Sequence, residues 1–278
     1  MKTITCNIPD SLYAALQGRM KSDKSSCDHE ISVALSQHLS KPFHTLFQVS
    51  TSAALVEGLY QGAVRVSRLL HHGDFGLGTF IDLDGEMVVL DGICYQVSSN
   101  GSVRTVEGER LVPYAVVTRF NSDQRKQFTR LESLNRLFSV CDEFRSSGNV
   151  FYAFRVEGKF SLVKTRVMKA VPRGTGLKSA ASGQAEFHLE QVSGTLVGIW
   201  SPSFSAAFSV PGYHFHFLST DRQRGGHVLE FEALDVSVEA SAMNEMHVSL
   251  PETEEFLQAD LTRDPQEDLM RAELDHES

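Results

Sequence analysis

The residues best suited to chemistry lie between positions 211 and 227. Pro211-Gly212-Tyr213-His214-Phe215-His216-Phe217 is followed, eleven residues after His216, by His227 in the run Gly225-Gly226-His227. On a β-strand successive side chains point to opposite faces, so His214 and His216 share one face while Tyr213, Phe215 and Phe217 pack the other. Two imidazoles side by side make a metal pincer, although such a pair also occurs simply as two histidines in a polar barrel mouth. A third histidine, returning on a neighbouring strand through the polar loop Ser219–Arg224, would complete a three-nitrogen set with open positions, the arrangement a catalytic zinc needs.

Other candidates are weaker by spacing alone. Gly73-Asp74-Phe75-Gly76-Leu77-Gly78-Thr79 is spaced GxxGxG with no helix after it, so it is not a dinucleotide fingerprint. Its glycines serve either close approach to a metal-bound ligand or a plain β-bulge. Glu86 follows a turn beside that segment, and Arg166 ends an apolar strand where a guanidinium could grip a carboxylate with two parallel hydrogen bonds. By spacing, both read first as solvated surface charges. His71 and His72, as neighbours on a strand, would face opposite sides, and His188, His247 and His276 have no partner at ligand spacing.

The elements that must position these groups are mostly strands. Asp84-Gly85, Asp91-Gly92 and Asn100-Gly101 separate the short apolar runs 87–90, 93–97 and 102–106, which predicts an antiparallel meander. Strands are also predicted at 151–156 and 161–167 around a Glu157-Gly158 turn, and at 247–250. One helix is expected after Asn121-Ser122, because Phe128, Leu131, Leu134, Leu137, Phe138 and Cys141 keep helical spacing. A shorter one is expected at 52–59. Residues 191–220 carry no Asp, Glu, Lys or Arg, but Pro202, Pro211 and two histidines argue for buried β-structure over a membrane span.

Across 278 residues, 35 acidic and 26 basic side chains leave a net charge of −9, which argues against a wholesale nucleic-acid or anionic-membrane binder. Residues 251–278 hold ten acidic and two basic side chains, a net of −8, so nearly all of the excess sits in the last stretch. Cys6, Cys27, Cys94 and Cys141 form no CxxC pair, which points to a reducing, cytoplasmic setting. The opening MKTITCNIPD reaches a proline and an aspartate where the apolar part of a secretory leader would run, so no leader is expected.

The first forty residues differ from the rest. Thr3–Ile8 alternates polar and apolar, Pro9-Asp10-Ser11 signals a helix start, and helices are predicted with Leu12, Ala15, Leu16 and Met20 on one face and from Asp28 to Leu39. This strand-helix-helix order, with its IPD and EISVALSQHL, resembles the ribbon-helix-helix family of DNA-binding dimers. The resemblance implies that strands of two chains pair, with Thr3, Thr5 and Asn7 facing DNA and Ile4, Cys6 and Ile8 facing the core. Residues 1–42 carry five basic and four acidic side chains, a net of +1, which is thin for a phosphate-binding surface. A dimerisation element is the other reading. Lys41-Pro42 marks the boundary, dividing the chain into an extension, 1–42, and a domain, 43–278.

Within that domain LFQVSTSAALVEGLYQG, HHGDFGLGTFIDLDGEMVVLDG, FYAFRVEGKFSLVKTR, GTLVGIWSPSF, PGYHFHFLSTDRQRGGHV and LPETEEF occur in order. Together they resemble the alpha-acetolactate decarboxylase family. The resemblance implies an α+β fold of mostly antiparallel and mixed sheets in a two-part domain with few helices. It implies a zinc ion held by His214, His216 and His227, with Glu86, Arg166 and Thr79 in the site and a further glutamate, Glu273, from the C-terminal segment. The implied reaction is decarboxylation of 2-acetolactate to (R)-acetoin and carbon dioxide, in acetoin and butanediol formation; the chemistry requires no organic cofactor, and a homodimer is expected. Arg166 would orient the carboxylate, Thr79 would help position the substrate, and Glu86 or Glu273 would protonate the enediolate. Ile93 and Gln61 depart from the family pattern.

Two other readings stand beside this one. A metal-dependent β-barrel oxygenase also uses an HxH strand, but it typically adds a carboxylate where this chain has Phe217, Leu218, Ser219 and Thr220. A DNA-binding regulator could use the decarboxylase-like domain to sense a metabolite, although the intact set of site residues favours a catalyst.

Overall fold

The computed structural model describes residues 4–23, 25–38 and 44–269. They divide into two compact units, Met1–Phe43 and His44–Ser278.

In the first unit, helix α1 (Asp10–Asp23) starts where Pro9 forces a turn, and the Pro9 carbonyl accepts from the Leu12 and Tyr13 amides at 3.0 Å. Helix α2 (Cys27–His38) meets it through an ion pair, Arg19 to Glu30 at 3.1 Å, and the Ser25 hydroxyl donates to Glu30 at 2.6 Å. Glu30 is the one buried side chain among this unit's described residues, while Ile4, Leu12, Tyr13, Ile31 and Leu35 are exposed. The strand expected over 3–8 does not form in residues 4–9, and Thr5 and Asn7 are exposed there. A ladder made between two chains has no pairing within one. Thr3 lies outside the described residues.

The second unit is mixed α+β. In chain order it runs β1 (Thr45–Val49), α3 (Ser52–Val56), β2 (Val64–Arg65), α4 (Val66–His72), β3 (Phe75–Thr79), β4 (Glu86–Leu90), β5 (Ile93–Val97) and β6 (Val103–Thr105). It continues through β7 (Leu111–Val112), β8 (Tyr114–Thr118), β9 (Gln124–Leu131), α5 (Leu134–Phe144), β10 (Phe151–Val167), α6 (Leu177–Ala181) and β11 (Ala185–Ser201). It closes with β12 (Gly212–Ser219), β13 (Gly225–Met243), β14 (Glu245–Ser249) and α7 (Glu254–Gln258). Seven strands make one sheet in the order β14-β1-β8-β3-β4-β5-β6, mixed because β14 runs parallel to β1. Five make a second, antiparallel sheet, β10-β11-β12-β13-β9, in which β10 also pairs with β13 and curls the sheet round.

One apolar core takes side chains from both sheets, among them Leu77, Val88, Val197, Ile199 and Leu218. A second fills the curled sheet under α5, with Phe154, Phe160, Phe215, Phe217 and Phe231. A third lies on the outer side of the seven-stranded sheet around Leu69, Phe80 and Val117. Burying one such aromatic or leucine contributes about 1.5–3 kcal/mol; the first core fixes the two sheets against each other, and the other two stabilise each sheet on its far side.

Four local expectations change. The helix expected from residue 121 begins at Leu134, where the Ser133 hydroxyl accepts from the Arg136 amide at 3.2 Å. Residues 124–131 instead pair with β13, Phe128 opposite Val236. The Glu157-Gly158 turn is absent, because β10 runs unbroken for 17 residues and bulges past β13. Gly158 is there for close approach, since a Cβ would sit 2.5 Å from the Asp235 carbonyl oxygen. His71 and His72 lie on α4, not on a strand, with His72 stacked 3.8 Å from Phe47. In the glycine segment Gly76 and Gly78 lie in β3, where a Cβ would come within 2.1 and 2.4 Å of carbonyl oxygens on β8. Both let two strands pack closely, and Gly78 also lines the cleft described below.

Candidate metal centre

The strand β12 does what its alternation predicts. Phe215 and Phe217 enter the core under α5, and His214 and His216 face the other way. The hairpin to β13 sets His227 directly opposite His216. As a result, His214 Nε2 lies 3.1 Å from His216 Nε2 and 3.0 Å from His227 Nδ1, and all three rings offer a nitrogen within 4.8 Å of one another. Bonds of about 2.0 Å to a tetrahedral ion would place its ligand nitrogens about 3.3 Å apart. The spacing and the donor set therefore both fit one small divalent cation.

Two features prepare the rings to ligate. His216 Nδ1 donates to the Met87 carbonyl at 2.7 Å, which assigns the ring proton and leaves Nε2 a lone pair. Burial first, and the Arg166 charge second, hold His214 down to about 3, so it is neutral at physiological pH.

The seven-stranded sheet supplies the opposite wall. Thr79 and Glu86 are register partners on β3 and β4, so their side chains share a face. Both are buried, at 7% and 6% exposure, which corrects the surface reading of Glu86. Glu86 Oε1 accepts the Met168 amide at 3.0 Å, and Oε2 lies 3.6 Å from His216 Nε2. The Thr79 hydroxyl donates to the Gly85 carbonyl at 2.9 Å.

Arg166 is buried too, at 4% exposure, and stands opposite His227 in the β10–β13 ladder. Its Nη2 is 3.5 Å from His227 Nε2, and its Nη1 donates to Gln184 Oε1 at 3.0 Å. The three histidines, Thr79, Glu86 and Arg166 therefore line one cleft, closed on its other sides by apolar groups including Leu55, Met168, Leu177 and Val210. Glu273 lies outside the described residues. Tyr114, which lines the cleft, and Gln184 and the Met87 carbonyl, which bond Arg166 and His216, belong to no motif and are not legible as site groups in the sequence.

Chemically, the cleft joins a cation site, a buried carboxyl group, a guanidinium for an anion and an apolar wall. This suits a small, anionic, oxygen-rich substrate and a step that moves charge and one proton. No helix among the described residues is long and apolar enough to cross a membrane.

Residues 46–263 match the family model described as Alpha-acetolactate decarboxylase. An alpha-acetolactate decarboxylase of Methanosarcina mazei is 41% identical over 232 residues, covering 82% of this chain and 80% of that protein. The one of Brevibacillus brevis is 37% identical over 226 residues, covering 80% and 78%. Among solved structures, the acetolactate decarboxylase of Bacillus subtilis subspecies spizizenii superposes with a TM-score of 0.80 at 32% identity, covering 82% of this chain and 100% of that one.

Proposed function

The chain belongs to the alpha-acetolactate decarboxylase family and is a carboxy-lyase, and on that premise we propose that it converts 2-acetolactate to (R)-acetoin and carbon dioxide in the cleft of His214, His216, His227, Glu86, Arg166 and Thr79. The observation that carries this reading is the convergence of three imidazole nitrogens with a buried guanidinium and a buried carboxyl group.

The three histidines would hold zinc, which supplies a Lewis acid for the negative charge that develops on the substrate's ketone oxygen. Arg166 binds and orients the carboxylate that departs as carbon dioxide. Thr79 Oγ1, whose proton goes to Gly85, offers a lone pair to the tertiary hydroxyl. Leu55, Met168 and Leu177 receive the methyl groups and exclude water. Glu86 Oε2 delivers a proton to one face of the carbon that has lost the carboxylate, and that choice of face fixes the handedness of acetoin. Glu273, on the C-terminal segment, is the second carboxyl group we assign to this exchange.

Residues 43–278 form the catalytic domain in this proposal, and residues 1–42 an assembly module that joins two chains. Supporting the second assignment, the described part of that module buries no apolar side chain of its own. All four cysteines are free, which supports a reducing cytoplasmic setting.

The test is incubation of the purified protein with 2-acetolactate under nitrogen, with acetoin resolved by chiral gas chromatography. A catalyst gives one enantiomer in excess at a rate above the spontaneous one. Racemic product at the spontaneous rate would refute the proposal. A gel shift at controlled salt, with and without residues 1–42, separates this catalyst from a DNA-binding regulator.

A further inference from the structure

Arg166 is the last charged group of a long strand, and burial denies its guanidinium the water that would otherwise satisfy it. One of its partners comes from outside the catalytic set. Gln184 Oε1 accepts from Arg166 Nη1 at 3.0 Å, while Gln184 Nε2 faces Glu186 Oε1 at 3.5 Å. Arginine has only donors and a carboxylate only acceptors, so both contacts demand the same orientation of the amide. Gln184 is half-buried and sits just past α6, the short helix whose Leu177 and Ala181 form part of the cleft wall. Its own amide donates to the Ala181 carbonyl at 3.3 Å. The side chain thus ties the connection between β10 and β11 to the guanidinium at the floor of the cleft.

We infer that Gln184 is a positioning residue that keeps the Arg166 guanidinium turned toward the substrate's carboxylate. This rests on the reading above in which Arg166 takes that carboxylate. Gln184 accepts one of the guanidinium's hydrogen bonds and so helps to fix its plane, and a planar, bidentate pairing is lost when the plane turns. The carboxylate is charged in the bound substrate and neutral as carbon dioxide, so the contact stabilises the ground state at least as much as the transition state. Its loss should therefore appear in KM more than in kcat.

The experiment uses the metal-loaded full chain and two inhibitors that share the vicinal diol: 2,3-dihydroxy-2-methylbutanoate, which keeps the carboxylate, and 2,3-butanediol, which lacks it. Gln184→Ala should raise KM and the inhibition constant of the acid by about tenfold, the scale of one charge-assisted hydrogen bond. The diol constant and the bound metal should stay unchanged. Gln184→Glu keeps the acceptor oxygen but neutralises Arg166, so it should weaken the acid at least as much. Equal losses for acid and diol, or no loss for the acid, would overturn the inference. Arg166→Ala is the control: selective loss of the acid there, without selective loss in Gln184→Ala, defeats Gln184 alone. If Arg166→Ala weakens both inhibitors equally, the carboxylate assignment falls and the role of Gln184 falls with it.

Discussion

His216 and His227 face each other across the β12–β13 hairpin, and the first of them is anchored through its other nitrogen to the Met87 carbonyl of the opposite sheet. The candidate metal set is thus braced by both layers of the fold.

Replacing His216 with Ala should lower metal affinity by more than the roughly 10–100-fold typical of losing an outer partner of a ligand. Plasma mass spectrometry of dialysed protein should find little metal, and activity should fall to background. Retention of one ion per chain would show the ligand set to be misassigned.

Glu86→Gln keeps an oxygen that can accept the Met168 amide, so the fold should survive. The exchangeable proton is lost, and kcat should drop by about 10²–10⁴. The enantiomeric excess of the residual acetoin is the decisive reading. An unchanged rate and excess would assign protonation elsewhere, with Glu273 the next carboxyl group to replace.

A pH-dependent contribution to stability is expected behind the metal strand. The Tyr213 hydroxyl donates to Asp142 Oδ1 at 2.6 Å, Arg145 Nε donates to the same hydroxyl at 3.0 Å, and the Arg145 guanidinium lies 3.7 Å over the Trp200 ring. Burial raises the Asp142 pKa, but hydrogen bonds from Tyr213 and Arg145 and the Arg145 charge outweigh it, leaving the group below its ordinary value. A depressed folded pKa stabilises the protein above the unfolded value of about 3.9, and that stabilisation disappears as pH falls through the folded value. Asp142→Asn should therefore cost up to about 1 kcal/mol at pH 7, a modest figure because the carboxylate is half exposed, and nothing once the carboxyl is protonated. Urea midpoints of the two proteins should converge in acid. A gap that stays constant with pH would mean that the charge is immaterial.

In the assembly we propose, two copies of the alternating segment run antiparallel about a two-fold axis at Cys6, with Ile4 opposite the partner's Ile8. Directly opposed residues in such a ribbon have Cα atoms about 4.5–5.5 Å apart, within disulfide reach. Cys6 is exposed in the single chain. Mild oxidation should give a covalent dimer that Cys6→Ser abolishes and Cys27→Ser does not. A monomer by light scattering, or indifference of the cross-link to Cys6, would refute this arrangement.

The cleft was legible where it follows a strict period. HxH on a strand, the returning Gly-Gly-His and the Asp-Gly turns dictate geometry locally, and the register of β12 with β13 follows from them. Errors arose where two periods overlap. Phe128 and Leu131 continue the three-residue spacing of α5 backward, so a strand and a helix read as one helix until the Ser133 cap is seen. Gly158 read as a turn because no short-range signal distinguishes a reversal from a close crossing with β13. Burial of Glu86 and Arg166 depends on the second sheet closing over the first, a relation set by residues more than fifty positions away. Gln184 has no motif, since it meets Arg166 across a loop and a helix.

Strand β10 is paired on both sides along most of its length, and Arg166 near its end stands opposite Glu186 on one side and His227 on the other. Because side chains alternate, a slip of one residue in either ladder would turn Arg166 out of the cleft and bring Thr165 or Val167 in. The three register shifts already in the β10–β13 ladder must therefore all be in place for Arg166 to face the cleft. Turnover is consequently an all-or-none gauge of strand alignment, able to distinguish a native molecule from a compact, off-register one with the same content of secondary structure.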